Sequence, residues 1–274
     1  MAMAETLPEI READAPPEIA AIYDEIRAAT WLPLVNLIWR HLAALPGALP
    51  WSWGAVRPLA RAGLIAAAAE RVRDRLELPA VPPMTLEALA AVGVHGQSAH
   101  GGLPTIRRIL DAYNRGNANN LVALTALLLA LDGGAPAAEP TPEAGAPPAA
   151  AGALPPLPRL GDLDERTKAG VEALAAGHAG FETGAVPSLY LHLAHWPGFL
   201  EQARGRIEPL PIAELRERAC ALGRGEAAPL ARRIEPGPPP PARDAAVEAM
   251  DRFSRGLIPE MLPVGLILAR ALPR

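Results

Sequence analysis

The sequence predicts an all-α protein built from two tandem copies of one helical unit. Three observations carry this. Apolar residues recur at steps of three and four, as at Leu34, Ile38, Leu42 and Leu45, and the same spacing returns at Leu110, Tyr113, Asn117, Leu121, Leu124 and Leu128 with one polar member. Ala, Leu, Arg and Glu dominate these stretches and favour helix, and no alternating β-branched run of strand length occurs. The third observation is the repeat itself.

Residues 35–59 align without a gap on residues 186–210. Val35, His41, Leu42, Ala43, Pro46, Gly47, Leu49, Gly54, Pro58 and Leu59 meet identical partners at Val186, His192, Leu193, Ala194, Pro197, Gly198, Leu200, Gly205, Pro209 and Leu210. The shared L-A-x-x-P-G reads as a helix that stops and restarts at a Pro-Gly break. Later in each half, Asp111, Tyr113, Arg115 and Gly116 align with Asp251, Phe253, Arg255 and Gly256. Each unit is thus expected to open with a helix, break at Pro-Gly, and end in a long helix carrying D-x-(Y/F)-x-R-G.

A stretch with eight prolines, Gly133–Gly161, separates the copies. It cannot propagate a helix and reads as an exposed linker of polyproline character, as does the shorter connector Glu235–Pro241. The expected organisation is a first helical repeat over 16–132, the linker over 133–161, and a second repeat over 162–274. Two such units most simply pack as a pseudo-dimer about a two-fold axis, and a true homodimer stays open.

Composition narrows the function. With 274 residues, half of them hydrophobic, and a net charge of −4, there is no electrostatic case for nucleic acid or an anionic membrane as partner. Leu121–Leu131, the longest apolar run, is too short to span a bilayer. Met1–Ala15 lacks the apolar core of a signal peptide, so a cytoplasmic location is expected. The Ala and Arg bias reads as a bacterial, GC-rich source. Cys220 stands alone, which excludes an internal disulfide, a CxxC redox pair and a thiolate-rich metal site. His95, His100, His178 and His195 show no metal-ligand spacing, and no phosphate-loop or dinucleotide motif occurs, so neither metal nor cofactor is expected.

The repeat gives each position an internal control. His41 and His192 match across it and read as packing residues. The tryptophans gather near the Pro-Gly breaks and read as core. Gly116 and Gly256 sit inside helices, where glycine weakens the helix, so a close helix crossing is expected at both, with a ligand approaching the backbone as the alternative. Asn117 breaks the symmetry, because its partner is Leu257. With Asn114, Asn119 and Asn120 it makes a polar notch in an apolar helix. Either a neighbouring backbone group or water satisfies that amide, or it orients a ligand.

Taken together, the motifs resemble one family, the group I 2-haloacid dehalogenases that act on D- and L-substrates. The resemblance rests on Pro33–Val35, R-x-L-A-x-x-P-G at Arg40–Gly47, Leu49-Pro50, N-x-G-N at Asn114–Asn117 and Leu-Thr-Ala-Leu at 124–127. In the second half it rests on Ser188 and on L-A-x-W-P at Leu193–Pro197. It implies an all-α tandem-repeat fold with a pocket between the halves and a small organic acid as substrate. It also implies hydrolysis by direct attack of an activated water on the halogen-bearing carbon. The water-holding asparagine of the family falls on Asn117. Its water-activating aspartate falls on Leu189, and its pocket residues fall on Leu34, Leu37, Ser188, Tyr190 and Phe253. The expectation is therefore a dehalogenase-like protein without the family's base. His192 and Glu182 are the nearest substitutes. The alternative is a non-catalytic binder of a small carboxylic acid or apolar molecule in the inter-repeat pocket. A purely structural protein on the same scaffold ranks behind it, and a redox role last, since Cys220 has no partner.

Overall fold

The structure is a computed structural model and describes residues 7–95, 102–133, 152–180 and 184–273. Twelve α-helices and no strand occur among the described residues. The first half contributes α1 (Pro17–Thr30), α2 (Leu37–Ala43), α3 (Ala48–Arg61), α4 (Leu64–Arg75), α5 (Leu86–Ala91) and α6 (Leu103–Leu131). The second contributes α7 (Glu165–Ala175), α8 (Ser188–Leu193), α9 (Pro197–Ile207), α10 (Ile212–Ala231), α11 (Arg243–Arg252) and α12 (Ile258–Ala271). No described helix is long and apolar enough to cross a membrane.

The Pro-Gly breaks form as the pattern requires. Gly47 adopts φ +73°, a left-handed conformation that turns the chain from α2 into α3. A β-carbon there would also lie 2.9 Å from the side chain of Pro240, in the Pro-rich connector that crosses this corner. α8 gives way to α9 at Pro197, whose missing N–H is harmless in a helix's first turn.

Helix α6 runs through the centre, packed by α4, α10 and α12. Ile106, Ile109, Leu110, Leu124 and Leu127 have no exposed surface, as expected of a helix apolar nearly all round. α11 and α12 are joined by a widened π-turn, Phe253–Leu257. Its cause is local. Pro259 has no N–H, and its ring would crowd the carbonyl of Arg255 four residues back, so the turn opens ahead of it. The shared D-x-(Y/F)-x-R motif has a structural role in both places. Asp111 pairs with Arg115 at 2.9 Å and Asp251 with Arg255 at 2.6 Å, each one turn apart.

Three expectations need correction. Neither repeated glycine marks a helix crossing. A β-carbon at Gly116 would meet the Asn36 amide at 2.7 Å, and one at Gly256 the methyl of Ala179 at 3.2 Å. Tight crossings lie instead on α6, with α10, where a β-carbon at Gly223 would lie 2.7 Å from Leu121, and with α12, where one at Gly265 would collide with Asn114 Oδ1. The expected long helix of the second half is interrupted by the π-turn. The linker is also not free throughout. Residues 134–151 lie outside the described residues, but the stretch after them is docked. His192 and His195 donate from Nε2 to the carbonyls of Pro155 and Pro156, both at 2.9 Å. Arg11 donates to the carbonyl of Leu157 at 2.6 Å, and Leu154 packs on the core.

Candidate functional site

A cavity of about 40 Å³ lies where the N-terminal ends of α2 and α8 meet the middle of α6 and the π-turn. Asn36, Leu37 and Ile38 line it from the first half and Pro187, Ser188 and Leu189 from the second. Tyr113, Asn117 and Asn120 come from α6, spaced four and three apart and so on one helix face. Phe253, Leu257, Ile258 and Met261 come from the π-turn and α12.

Most of this lining consists of aligned pairs. Asn36 and Pro187, Leu37 and Ser188, Ile38 and Leu189, Tyr113 and Phe253, and Asn117 and Leu257 all contribute both members. Asn120 departs from the gapless alignment, which pairs it with Glu260. The π-turn takes up one extra residue, so the helix face beyond it slips by one and Met261 reaches the cavity instead.

The polar groups of the cavity are amides and hydroxyls. The Asn117 side chain is 8% exposed and makes no hydrogen bond to the described residues, and neither does that of Asn36. Asn120 is better determined. The indole Nε1–H of Trp39 donates to its Oδ1 at 2.8 Å. An indole nitrogen can only donate, so the amide orientation is fixed, and Nδ2 is left buried without a partner. Ser188 Oγ accepts from Arg40 Nη2 at 3.0 Å, and Arg40 is in turn paired with Glu9 at 2.5 Å.

No carboxylate, histidine or cation lines the cavity among the described residues. Leu189, 1% exposed, stands where the family's base is expected. His192 does not replace it. Its Nε2 is committed to Pro155, and its Nδ1 accepts from the Tyr113 hydroxyl at 2.8 Å. Burial, together with His195, Arg40 and Arg11 nearby, holds its pKa down to about 4, against a weaker upward pull from the Pro155 carbonyl. Burial likewise pushes the Tyr113 phenol well above its usual range. Glu182, the other substitute, lies outside the described residues.

Two of the expected pocket residues are elsewhere. Tyr190 is one step past Leu189 on α8, so it faces away from the cavity, and its hydroxyl meets His178 Nε2 at 2.7 Å. His178 Nδ1 continues to Glu260 at 3.2 Å, and Glu260 also accepts from the Ala179 N–H at 2.8 Å and from Arg216 at 3.1 Å. Burial raises the Glu260 pKa, but the His178, Ala179 and Arg216 contacts outweigh it and leave it lowered. This closed network holds the loop that leads into α8. Leu34 precedes α2 in non-helical chain and lines an outer groove with the docked end of the linker. Leu37, Ser188 and Phe253 do line the cavity, with Asn117 and Leu189.

Sequence reasoning did not assign Asn36, Ile38, Tyr113, Asn120, Pro187, Leu257, Ile258 or Met261 to the pocket. Gly116 carried a usable signal for Asn36, because its missing side chain makes room for that amide.

Over 121 residues the chain is 32% identical to a configuration-inverting 2-haloacid dehalogenase from Alcaligenes xylosoxydans xylosoxydans, covering 44% of this chain and 40% of that protein. The chain therefore spans well under half of this curated relative in the matched region. Solved structures match over nearly the whole length. A D-2-haloacid dehalogenase mutant in complex with D-2-CPA superposes with a TM-score of 0.72 at 20% identity, covering 99% of this chain and 98% of that one. Another D-2-haloacid dehalogenase mutant gives 0.73 at 21% with the same coverage. At that identity the likeness shows a shared fold. No family model matches the chain.

Proposed function

We propose, for a chain whose resemblance to the group I 2-haloacid dehalogenases holds in fold and in part of its sequence, that the scaffold keeps a small-molecule pocket but not the hydrolysis. The observation that carries this reading is the lining of the cavity. Leu189 offers neither charge nor lone pair, and no other described side chain there is a base at neutral pH. A positioned general base contributes about 10²–10⁴ in rate, and direct attack by an unactivated water forgoes it. The protein then acts as a binder of small organic acids of the kind its relatives process. Asn117 faces the ligand from α6, Ser188, Phe253 and Leu37 form the walls, and no cofactor takes part.

We further take the two helical units, 16–132 and 162–274, as copies related by a pseudo-two-fold axis through this cavity. The paired lining supports that arrangement.

Released halide tests the loss of hydrolysis. The purified chain, incubated with D- and L-2-chloropropionate, is expected to give no more chloride than a heat-killed control. Enzymatic chloride release would overturn the reading.

A further inference from the structure

The cavity has no wide opening of its own. Of its lining residues only Leu37 keeps appreciable exposed surface, and the others are buried. Leu37 and Ser188 also line an outer groove of about 410 Å³, and Tyr113 lines a second groove of about 590 Å³. The two grooves share Arg11 and Arg159, so they adjoin. Both are bounded by the docked end of the linker. Residues 154–159 line the larger groove and residues 159–161 the smaller. A molecule moving between solvent and the cavity by way of Leu37 therefore passes this strap.

The strap is held differently from the wall it faces. Pro155, Pro156 and Pro158 have no N–H, so the stretch cannot donate a ladder of main-chain hydrogen bonds. No main-chain bond joins residues 154–158 to the rest of the described chain. The fastenings are side chains: His192 on Pro155, His195 on Pro156, Arg11 on Leu157, and the Arg159–Asp14 ion pair at 2.8 Å. Both members of that pair are more than half exposed, where an ion pair holds weakly. None of residues 154–161 is buried. The facing wall is firm by comparison. Main-chain bonds join Leu7 to Gly184 at 3.2 Å and Ile10 to Arg40 at 3.0 Å, and Glu9 pairs with Arg40. A segment with few buried contacts and no main-chain ladder opens locally while the fold around it stays intact. Its prolines keep it extended, so it lifts as one stiff piece.

We propose that residues 154–161 form a gate over the cavity, latched to the N-terminal segment through Arg11 and Asp14 and opened by release of that latch. What passes the gate rests on the binding reading above, while the gate itself belongs to the chain. Closed, the strap seats its carbonyls on His192 and His195 and leaves Leu37 as the one lining residue in touch with solvent. Opened, it joins both grooves to solvent and bares the seam between Leu37 and Ser188, where the N-terminal ends of α2 and α8 meet. Entry and exit of a small molecule then run at the rate of strap release rather than of diffusion.

The test reads access without any ligand. Leu189→Cys in a Cys220→Ser background puts a single thiol inside the cavity, and its reaction with methyl methanethiosulfonate is timed on the full chain. Adding Arg11→Ala and Asp14→Ala together removes the latch and keeps the net charge, so the thiol's own ionisation is little affected. This is expected to raise the reaction rate about tenfold or more. Arg75→Ala breaks a comparable exposed pair, with Glu226, away from the strap, and is expected to leave the rate within about twofold. Should the cysteine variant fail to fold, amide hydrogen exchange is followed on the otherwise natural chain. Latch removal is then expected to speed exchange over residues 36–41 and 187–193 and to leave α4 and α10 unchanged. A latch variant within about twofold of its parent, or an equal gain from Arg75→Ala, would overturn the gate. Titration with D- and L-2-chloropropionate separates the two readings. Faster access on latch removal in a chain that binds neither acid upholds the gate and removes the binder. Unchanged access in a chain that binds them does the reverse.

Discussion

At the scale of single residues, chemistry at this site is set by which groups are free and which are already committed. His192 is near enough to the cavity to suggest a base, but Tyr113 and Pro155 take both ring nitrogens. Its depressed pKa has a measurable consequence. A histidine neutral in the fold down to about pH 4 and ordinary when unfolded makes the unfolded chain bind more protons between pH 6.5 and 4. Stability is full above 6.5 and falls as pH drops through that window. From pH 7 to pH 5 this amounts to about 2 kcal/mol at one site. Burial lowers the His41 pKa too, which acts in the same direction. Urea unfolding at both pH values should show the loss, and His192→Gln should flatten it. An unchanged slope in that variant would place the acid sensitivity elsewhere. Of these residue-level facts, the sequence made Asn117 and Leu189 legible because the repeat supplies a reference residue for each. It could not orient Asn120, since the bond that does so comes from Trp39, 81 positions away.

At the scale of elements, helix content and breaks were legible while contacts were not. Proline and glycine act on neighbouring residues, so the turn at Gly47 follows from sequence alone. The crossing of α6 and α10 does not, because Gly223 lies in a stretch with no repeat match and looks like any other helical glycine. The structure gives it a role that Gly225, two residues on, lacks. A β-carbon at Gly223 strikes Leu121, while one at Gly225 meets nothing within 4 Å. Gly223→Ala should therefore destabilise by about 1–2 kcal/mol, the overpacking cost less the helix gain. Gly225→Ala should stabilise by roughly 0.5–1 kcal/mol. Denaturation midpoints that move together would contradict this. The docked end of the linker was likewise hidden. Composition reports that residues 152–161 form no α-helix, but not that two histidines and Arg11 hold carbonyls at Pro155, Pro156 and Leu157.

At the scale of the whole molecule, residues from both halves of the chain line a small cavity, and under the proposed pairing of two helical units their departures from equivalence give that cavity its character. Where the copies agree, as at Ile38 and Leu189, the wall is apolar. Where they differ, as at Asn117 and Leu257, one side alone is polar. The π-turn ahead of Pro259 extends the difference by bringing Met261 rather than Glu260 to the wall, a slip that a gapless alignment cannot contain. The all-helical fold was readable because helical periodicity is a property of sequence. The proposed loss of hydrolysis was readable as a leucine at a position where the resemblance implies a carboxylate.

Restoring that carboxylate tests the account most directly. Chloride release from D- and L-2-chloropropionate would be measured for the wild type and for Leu189→Asp, with the configuration of the lactate product determined. The account predicts a rate at least about 100-fold above wild type in the variant, with inversion at the reacting carbon. A folded Leu189→Asp protein that binds the substrate yet releases no more chloride than the wild type would contradict it.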